Sequence, residues 1–194
     1  MDYDPEIHHR RSIRLPGYDY AAGGAYFVTI CVQGRECLFG DIAVREMHLN
    51  EAGRMVVEWW LKLLDKFPHV TVDEFVVMPN HFHGVLFLVG APLRGCLVSY
   101  GRPDSRGCPD SGENSGRPRR AAPTLGDVMD WFKTMTTNAY IRGVKQSDWP
   151  PFPGRLWQRN YYERIVRNDA ELAVIQEYIA ANPANWADDE EYAP

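Results

Sequence analysis

No apolar run in this chain of 194 residues is long enough to cross a bilayer. Its longest largely apolar stretches, residues 55–64 and 85–89, fall far short of the roughly 20 residues that a spanning helix needs. The N-terminal stretch is polar and has none of the features of a signal peptide, so neither a membrane nor secretion is expected. Cysteine is sparse. Cys31, Cys37, Cys96 and Cys108 form no CxxC pair and no regular framework, which excludes a disulfide scaffold and a zinc knuckle of the usual spacing. Free thiols in a reducing compartment are the expectation, and the cytoplasm is the default location.

A surplus of positive charge is also missing. The formal net charge is −5, which speaks against a uniformly basic nucleic-acid-binding surface. The charges are unevenly spread, however. Asp188, Asp189, Glu190 and Glu191 read as part of a solvated acidic tail over residues 188–194. Basic clusters lie at HHRRSIR (8–14), which holds Arg10, Arg11 and Arg14, at RPRR (117–120), and along Arg155, Arg159, Arg164 and Arg167. With 45% apolar residues the chain can bury one good core, and a single domain over residues 1–187 is expected.

What is present is a clear succession of elements. AYFVTICVQ (25–33) is rich in β-branched and aromatic residues, with Phe27 and Thr29 on one face and Val28 and Ile30 on the other, as in a strand covered on both sides. Asn50 can cap a helix whose Ala52, Met55, Val56, Trp59, Leu63 and Phe67 recur at three- and four-residue intervals. VTVDEFVVM and FHGVLFLV follow as two strands joined across Pro79 and Asn80. Residues 90–123 turn to Gly, Pro, Ser and Arg and read as a mobile insertion loop. Thr124 caps a second helix that presents Leu125, Val128, Phe132 and Met135 to the core and ends near Gly143. RLWQRNYYERIV (155–166) predicts a fourth strand, and Asn168 with Glu171 opens a last helix that Pro183 stops. The order β-α-β-β-α-β plus a C-terminal helix predicts an α+β fold of the ferredoxin-like, split βαβ kind. Its sheet is antiparallel, of four to five strands, with helices on one face.

Fold alone does not name an activity. The candidate site begins at MPNHFHG (78–84), where His81 and His83 share one face of a strand about 7 Å apart at the backbone. Two converging imidazoles can share a metal ion, and Phe82 between them points the other way. On the last helix Tyr178 lies roughly 90° from the centre of the face defined by Leu172, Ile175 and Ile179, so it borders the core without filling it. Each feature also has a structural explanation: polar residues on a half-exposed strand, and a border tyrosine packing its ring and hydrogen-bonding its hydroxyl.

VVMPNHFHGVLFL resembles the histidine–hydrophobic–histidine motif of the HUH single-strand nucleases in the form seen in single-tyrosine transposases. RLPGYDYAAGGAYFVTICVQGRECLFG, LWQRNYYERIVRND and ELAVIQEYIAANPANW extend the likeness, and together these stretches resemble the REP-associated tyrosine transposases, which act on repetitive extragenic palindromes. Nearly the whole chain is covered, apart from residues 90–123 and the acidic tail. The resemblance implies that His81 and His83 bind a metal and that Tyr178 is the nucleophile. Asn182, four residues on and on the same helix face, falls where related transposases carry a glutamine ligand; it is one methylene shorter. Tyr162 is a second choice for the nucleophile.

The chemistry implied is metal-dependent nicking and joining of single-stranded DNA, hence transposition and recombination. Mg²⁺ or Mn²⁺ would neutralise the scissile phosphate, and Tyr178 would form a 5′-phosphotyrosine that conserves the bond energy for strand transfer. Single-stranded or hairpin DNA is the expected partner. Arg10, Arg11, Arg14, Arg159 and Arg164 are expected to contact the backbone, with Trp157, Tyr161 and Tyr162 available to stack on bases. Three alternatives stay open: a domesticated hairpin-binding protein that no longer cleaves, a ferredoxin-like RNA-binding module, and a metal hydrolase that activates water. Either a monomer or a homodimer is compatible with the family.

Overall fold

A computed structural model describes residues 23–89, 123–189, 191 and 192. Arg10, Arg11, Arg14, Cys96, Cys108 and all of the 90–123 insertion except its last residue lie outside the described residues. The strands in chain order are β1 (Gly24–Cys31), β2 (Gly40–Ala43), β3 (Glu46–Leu49), β4 (Val70–Val77), β5 (His81–Leu88) and β6 (Tyr162–Val166). The helices are α1 (Glu51–Leu61), α2 (Leu63–Lys66), α3 (Leu125–Gln146) and α4 (Asp169–Ala181), and a 3-10 helix (Asn182–Asp188) follows α4 directly.

Four strands form one antiparallel sheet in the order β4-β5-β1-β6, with β1 paired to both β5 and β6. This is the split βαβ arrangement: β1 and β4 are separated by β5, which enters from the hairpin. Alternation along β1 sends Tyr26, Val28 and Ile30 into the larger core under α1 and α3, where Trp60, Phe82 and Phe132 also lie. The opposite face carries a smaller cluster in which Phe27, Val85 and Val166 meet Ile175 and Ile179 of α4. Helices therefore cover both faces, α4 being the one that sits apart.

Helix starts follow the predicted caps. Asn50 Oδ1 accepts from Gly53 N at 2.9 Å, Thr124 and Asp127 form a reciprocal capping box, and Asn168 Oδ1 accepts from Glu171 N at 2.9 Å. In α1 it is Trp60, fully buried, that fills the core in place of the predicted Trp59, which instead packs edge-on against Trp131. Thr136 takes the inward place predicted for Met135, and α3 continues past Gly143 to Gln146. Gly143 is needed for a different reason: a Cβ there would lie 2.2 Å from the Trp149 ring. The predicted fourth strand is shorter than residues 155–166. Strand pairing starts at Tyr162, and Trp157 makes only an isolated bridge to Val32. The β2–β3 hairpin was not predicted at all.

Candidate active site

The site is built around the turn between β4 and β5. Met78 N donates to the His81 carbonyl at 2.8 Å, closing the turn over Pro79 and Asn80. Strand alternation then sends Phe82 into the large core, 4.6 Å from the Trp60 ring centre, and His81 and His83 to the α4 face. Gly84 is what allows Trp60 this close, since a Cβ there would lie 2.8 Å from its ring.

His81 and His83 bring their Nε2 atoms to 2.9 Å. His81 Nδ1 contacts Asn80 Oδ1 at 2.9 Å, and His83 Nδ1 contacts Thr29 Oγ1, its register partner on β1, at 2.8 Å. Both are buried, at 0% and 3% exposure, and so are not the polar residues of a half-exposed strand. Burial disfavours the charged imidazole, lowering His81 to about 4 and holding His83 well below the ordinary histidine range, with the neighbouring His81 adding to the effect. Two neutral imidazoles with adjacent nitrogens suit a cation.

Tyr178 reaches this pair from α4. Its hydroxyl lies 3.4 Å from His83 Nε2, its ring meets the His83 ring at 5.3 Å, and the residue remains 46% exposed. A cavity of about 480 Å³ opens beside it, lined by Phe27, His83, Tyr162, Arg164, Tyr178 and Asp189 among others.

Asn182, on the turn that continues α4, is buried and donates from Nδ2 to Asp189 Oδ2 at 2.8 Å. A carboxylate accepts and cannot donate, so the NH₂ end is committed to it and Oδ1 is left buried without a partner. Asp189 is the residue that sequence reasoning missed. Residues 188–194 were read as a solvated tail, but the 3-10 helix folds back and sets an Asp189 oxygen within 4.8 Å of ring nitrogens of His81 and His83. The segment is fastened there: Glu191 pairs with Arg35 at 2.9 Å, its carbonyl accepts from Asn80 Nδ2 at 2.8 Å, and Trp186 packs 5.8 Å from the His81 ring. An acidic run flanked by Trp186 and Tyr192 was the one available sign that this stretch packs.

The fit to a divalent ion can be tested on these atoms. Ligands at neighbouring corners of an octahedron around an ion about 2.1 Å away stand about 3 Å apart, which is the Nε2 spacing of the histidine pair. The Asp189 carboxylate, to which Asn182 Nδ2 is bonded, makes this a mixed nitrogen and oxygen donor set of the kind Mn²⁺ and Mg²⁺ accept.

The predicted DNA contacts divide. Tyr162 is 56% exposed and lines the cavity with Arg164, whose guanidinium also pairs with Glu171. Arg159 lies away from it, beside Lys133 and Arg155 in a groove along α3. Trp157 is 3% exposed with its indole NH donated to Thr136 at 2.8 Å, so its ring is a core element and not a stacking platform. Tyr161 packs against the large core as well.

No protein-family model matches the chain. An uncharacterised protein of Haemophilus influenzae is 37% identical over 190 residues, spanning 98% of this chain and 97% of that one. Among solved structures, a REP-associated tyrosine transposase bound to a REP hairpin superposes with a TM-score of 0.53, at 17% identity, over 89% of this chain and 74% of that one. The chain belongs to the same family as the Haemophilus influenzae protein and is built on the fold of the REP-associated tyrosine transposases.

Proposed function

We propose that this protein is a metal-dependent single-strand DNA endonuclease and strand transferase that acts on palindromic, REP-like hairpins through a 5′-phosphotyrosine at Tyr178. One observation carries the proposal: the hydroxyl of the half-exposed Tyr178 stands 3.4 Å from His83 Nε2, at the junction of an open cavity and a buried pair of neutral imidazoles. A packing tyrosine also finds its hydroxyl a partner; what supports the reading is that the partner here belongs to a buried histidine pair with a carboxylate beside it.

His81, His83 and Asp189 would hold Mg²⁺ or Mn²⁺, with Asn182 Oδ1 as a further donor. When bound, the ion supplies positive charge that polarises the scissile phosphate and offsets its repulsion of an approaching phenolate. The chain's own residues supply position. The edge-to-face contact of the Tyr178 ring with Phe27, at 6.1 Å, and with His83 aims the hydroxyl along the cavity wall. Tyr178 Oη forms the new bond to phosphorus, the bond from phosphorus to the 3′-oxygen breaks, and the phenolic proton is matched by the one gained at the 3′-hydroxyl. Because one phosphodiester replaces another, no nucleotide cofactor is required. Arg164 and Tyr162 on the cavity wall suit a phosphate and an unpaired base.

Tyr178 stands beside the histidines of its own chain, a placement that supports attack in cis. Helices on both faces of the sheet disfavour an RNA-binding module that displays an open sheet. The test is denaturing electrophoresis of the protein after incubation with a labelled hairpin and Mn²⁺. A covalent protein–DNA band supports the proposal; cleavage without such a band would point to water as the nucleophile, and binding without cleavage to a domesticated hairpin-binding protein.

A further inference from the structure

The turn before the histidines holds a side chain whose hydrogen bonds can be assigned in only one way. Asn80 is fully buried. Its Nδ2 lies 3.2 Å from the Arg35 carbonyl oxygen and 2.8 Å from the Glu191 carbonyl oxygen. Carbonyl oxygens only accept, so the NH₂ end of the amide must face them. Oδ1 therefore points the other way, where it meets His81 Nδ1 at 2.9 Å. An amide oxygen also only accepts, so the hydrogen in this contact sits on Nδ1. A neutral His81 is left with a bare lone pair on Nε2.

That lone pair faces His83 Nε2 at 2.9 Å. Two bare lone pairs would repel at this distance, so without an ion His83 must carry its hydrogen on Nε2. Its Nδ1 then accepts from the Thr29 hydroxyl, 2.8 Å away. The two second partners differ in kind. Asn80 permits His81 one tautomer only, whereas a hydroxyl can donate or accept and permits His83 both.

We infer, building on the cation site proposed above, that Asn80 is a positioning residue which fixes His81 as the Nδ1–H tautomer and keeps its Nε2 open to a cation, while Thr29 lets His83 change tautomer when the cation enters. In that change the proton leaves His83 Nε2, a proton from solvent is gained at Nδ1, and the Thr29 hydroxyl turns from donor to acceptor. Proton count and charge are unchanged. The NH₂ end of the same amide holds the Glu191 carbonyl, so Asn80 also ties the segment bearing Asp189 to the histidine turn. Outer partners of this kind orient metal-binding histidines and set their tautomer.

The test uses nitrogen-15 NMR of the histidine rings in the full-length, ion-free protein at neutral pH, together with Mn²⁺ affinity read from the free ion by electron paramagnetic resonance. The wild type should show His81 protonated at Nδ1 and His83 at Nε2. Asn80→Ala should release His81 into a tautomer mixture and weaken Mn²⁺ binding by about 10- to 100-fold. Asn80→Asp keeps an acceptor for His81, so it should preserve the Nδ1–H signature and bind Mn²⁺ far better than Asn80→Ala. A wild-type His81 protonated at Nε2 would overturn the inference without any variant, as would an Asn80→Ala protein with unchanged tautomer and affinity. A wild type with the expected tautomers but no affinity for Mn²⁺ would overturn the cation site itself.

Discussion

Tyr178 and His83 lie 95 residues apart in sequence, yet a hydroxyl and a ring nitrogen meet at 3.4 Å. The contact follows from how α4 seats: Ile175 and Ile179 bury against Phe27 and Val85, and Tyr178, next to Ile179 but rotated off that face, is left at the rim over β5. The same anchoring holds His83 stacked on Phe27 at 5.5 Å. One phenylalanine on β1 thus backs both the tyrosine and the histidine.

Addition of Mn²⁺ should stabilise the protein. At about 100 times the dissociation constant the gain is about 2.7 kcal/mol, seen as a higher melting temperature that excess chelator reverses. His81→Ala and His83→Ala should each fold and melt without this response. A chelator-insensitive melt of the wild type would count against the ion.

Stability of the ion-free protein should fall as pH drops below 6.5. The unfolded chain protonates its histidines near 6.5, while burial keeps His81 neutral to about 4 and His83 also well below the ordinary range. The unfolded state therefore binds more protons in this window, so stability is complete above 6.5 and is lost at about 1.4 kcal/mol per pH unit for each histidine as pH falls. Urea midpoints from pH 7 to pH 5 check this, and the double variant His81→Ala, His83→Ala should show a flatter profile.

Asp189→Asn removes the one formal negative charge from the set that can hold the ion, and its single amide oxygen can keep only one of the two bonds that the carboxylate accepts on separate oxygens, from Asn182 Nδ2 and from Glu191 N. Mn²⁺ affinity should drop by about tenfold or more, while the ion-free protein loses about 1 kcal/mol of stability with the one bond. Equal affinity, measured by calorimetry, would return Asp189 to the role of a tail residue.

Phe82→Ala should cost about 3–5 kcal/mol, because the ring sits fully buried among Trp60, Phe132 and Phe75 at 4.6, 5.5 and 6.2 Å. Urea unfolding measures it. A cost below 1 kcal/mol would mean that the strand between the histidines is not anchored as described.

Much of this was legible in the sequence because it is local. Period two along residues 81–83 is enough to send Phe82 one way and two histidines the other, and Asn50, Thr124 and Asn168 announce their helices through side-chain chemistry that acts within three residues. The β2–β3 hairpin was illegible for an equally local reason. Its turn places Val44 and Arg45 at φ of 52° and 65°, where Asn-Gly or Asp-Gly would be the usual signal. Trp59 and Trp60 both continue a three- and four-residue spacing, so only packing decides between them. Asp189 was hidden by distance. Its place depends on the turn after Ala181 and on fastenings to Asn80 and Arg35 far upstream, while its own neighbours in sequence are acidic and read as solvent-facing.

The measurement that bears most directly on the central claim is peptide mapping by mass spectrometry of the covalent adduct formed with a hairpin and Mn²⁺. The mass of the attached nucleotide should fall on Tyr178, Tyr178→Phe should bind the hairpin yet give no adduct, and Tyr162→Phe should still form one. An adduct on Tyr162, or one that survives in Tyr178→Phe, would contradict the account.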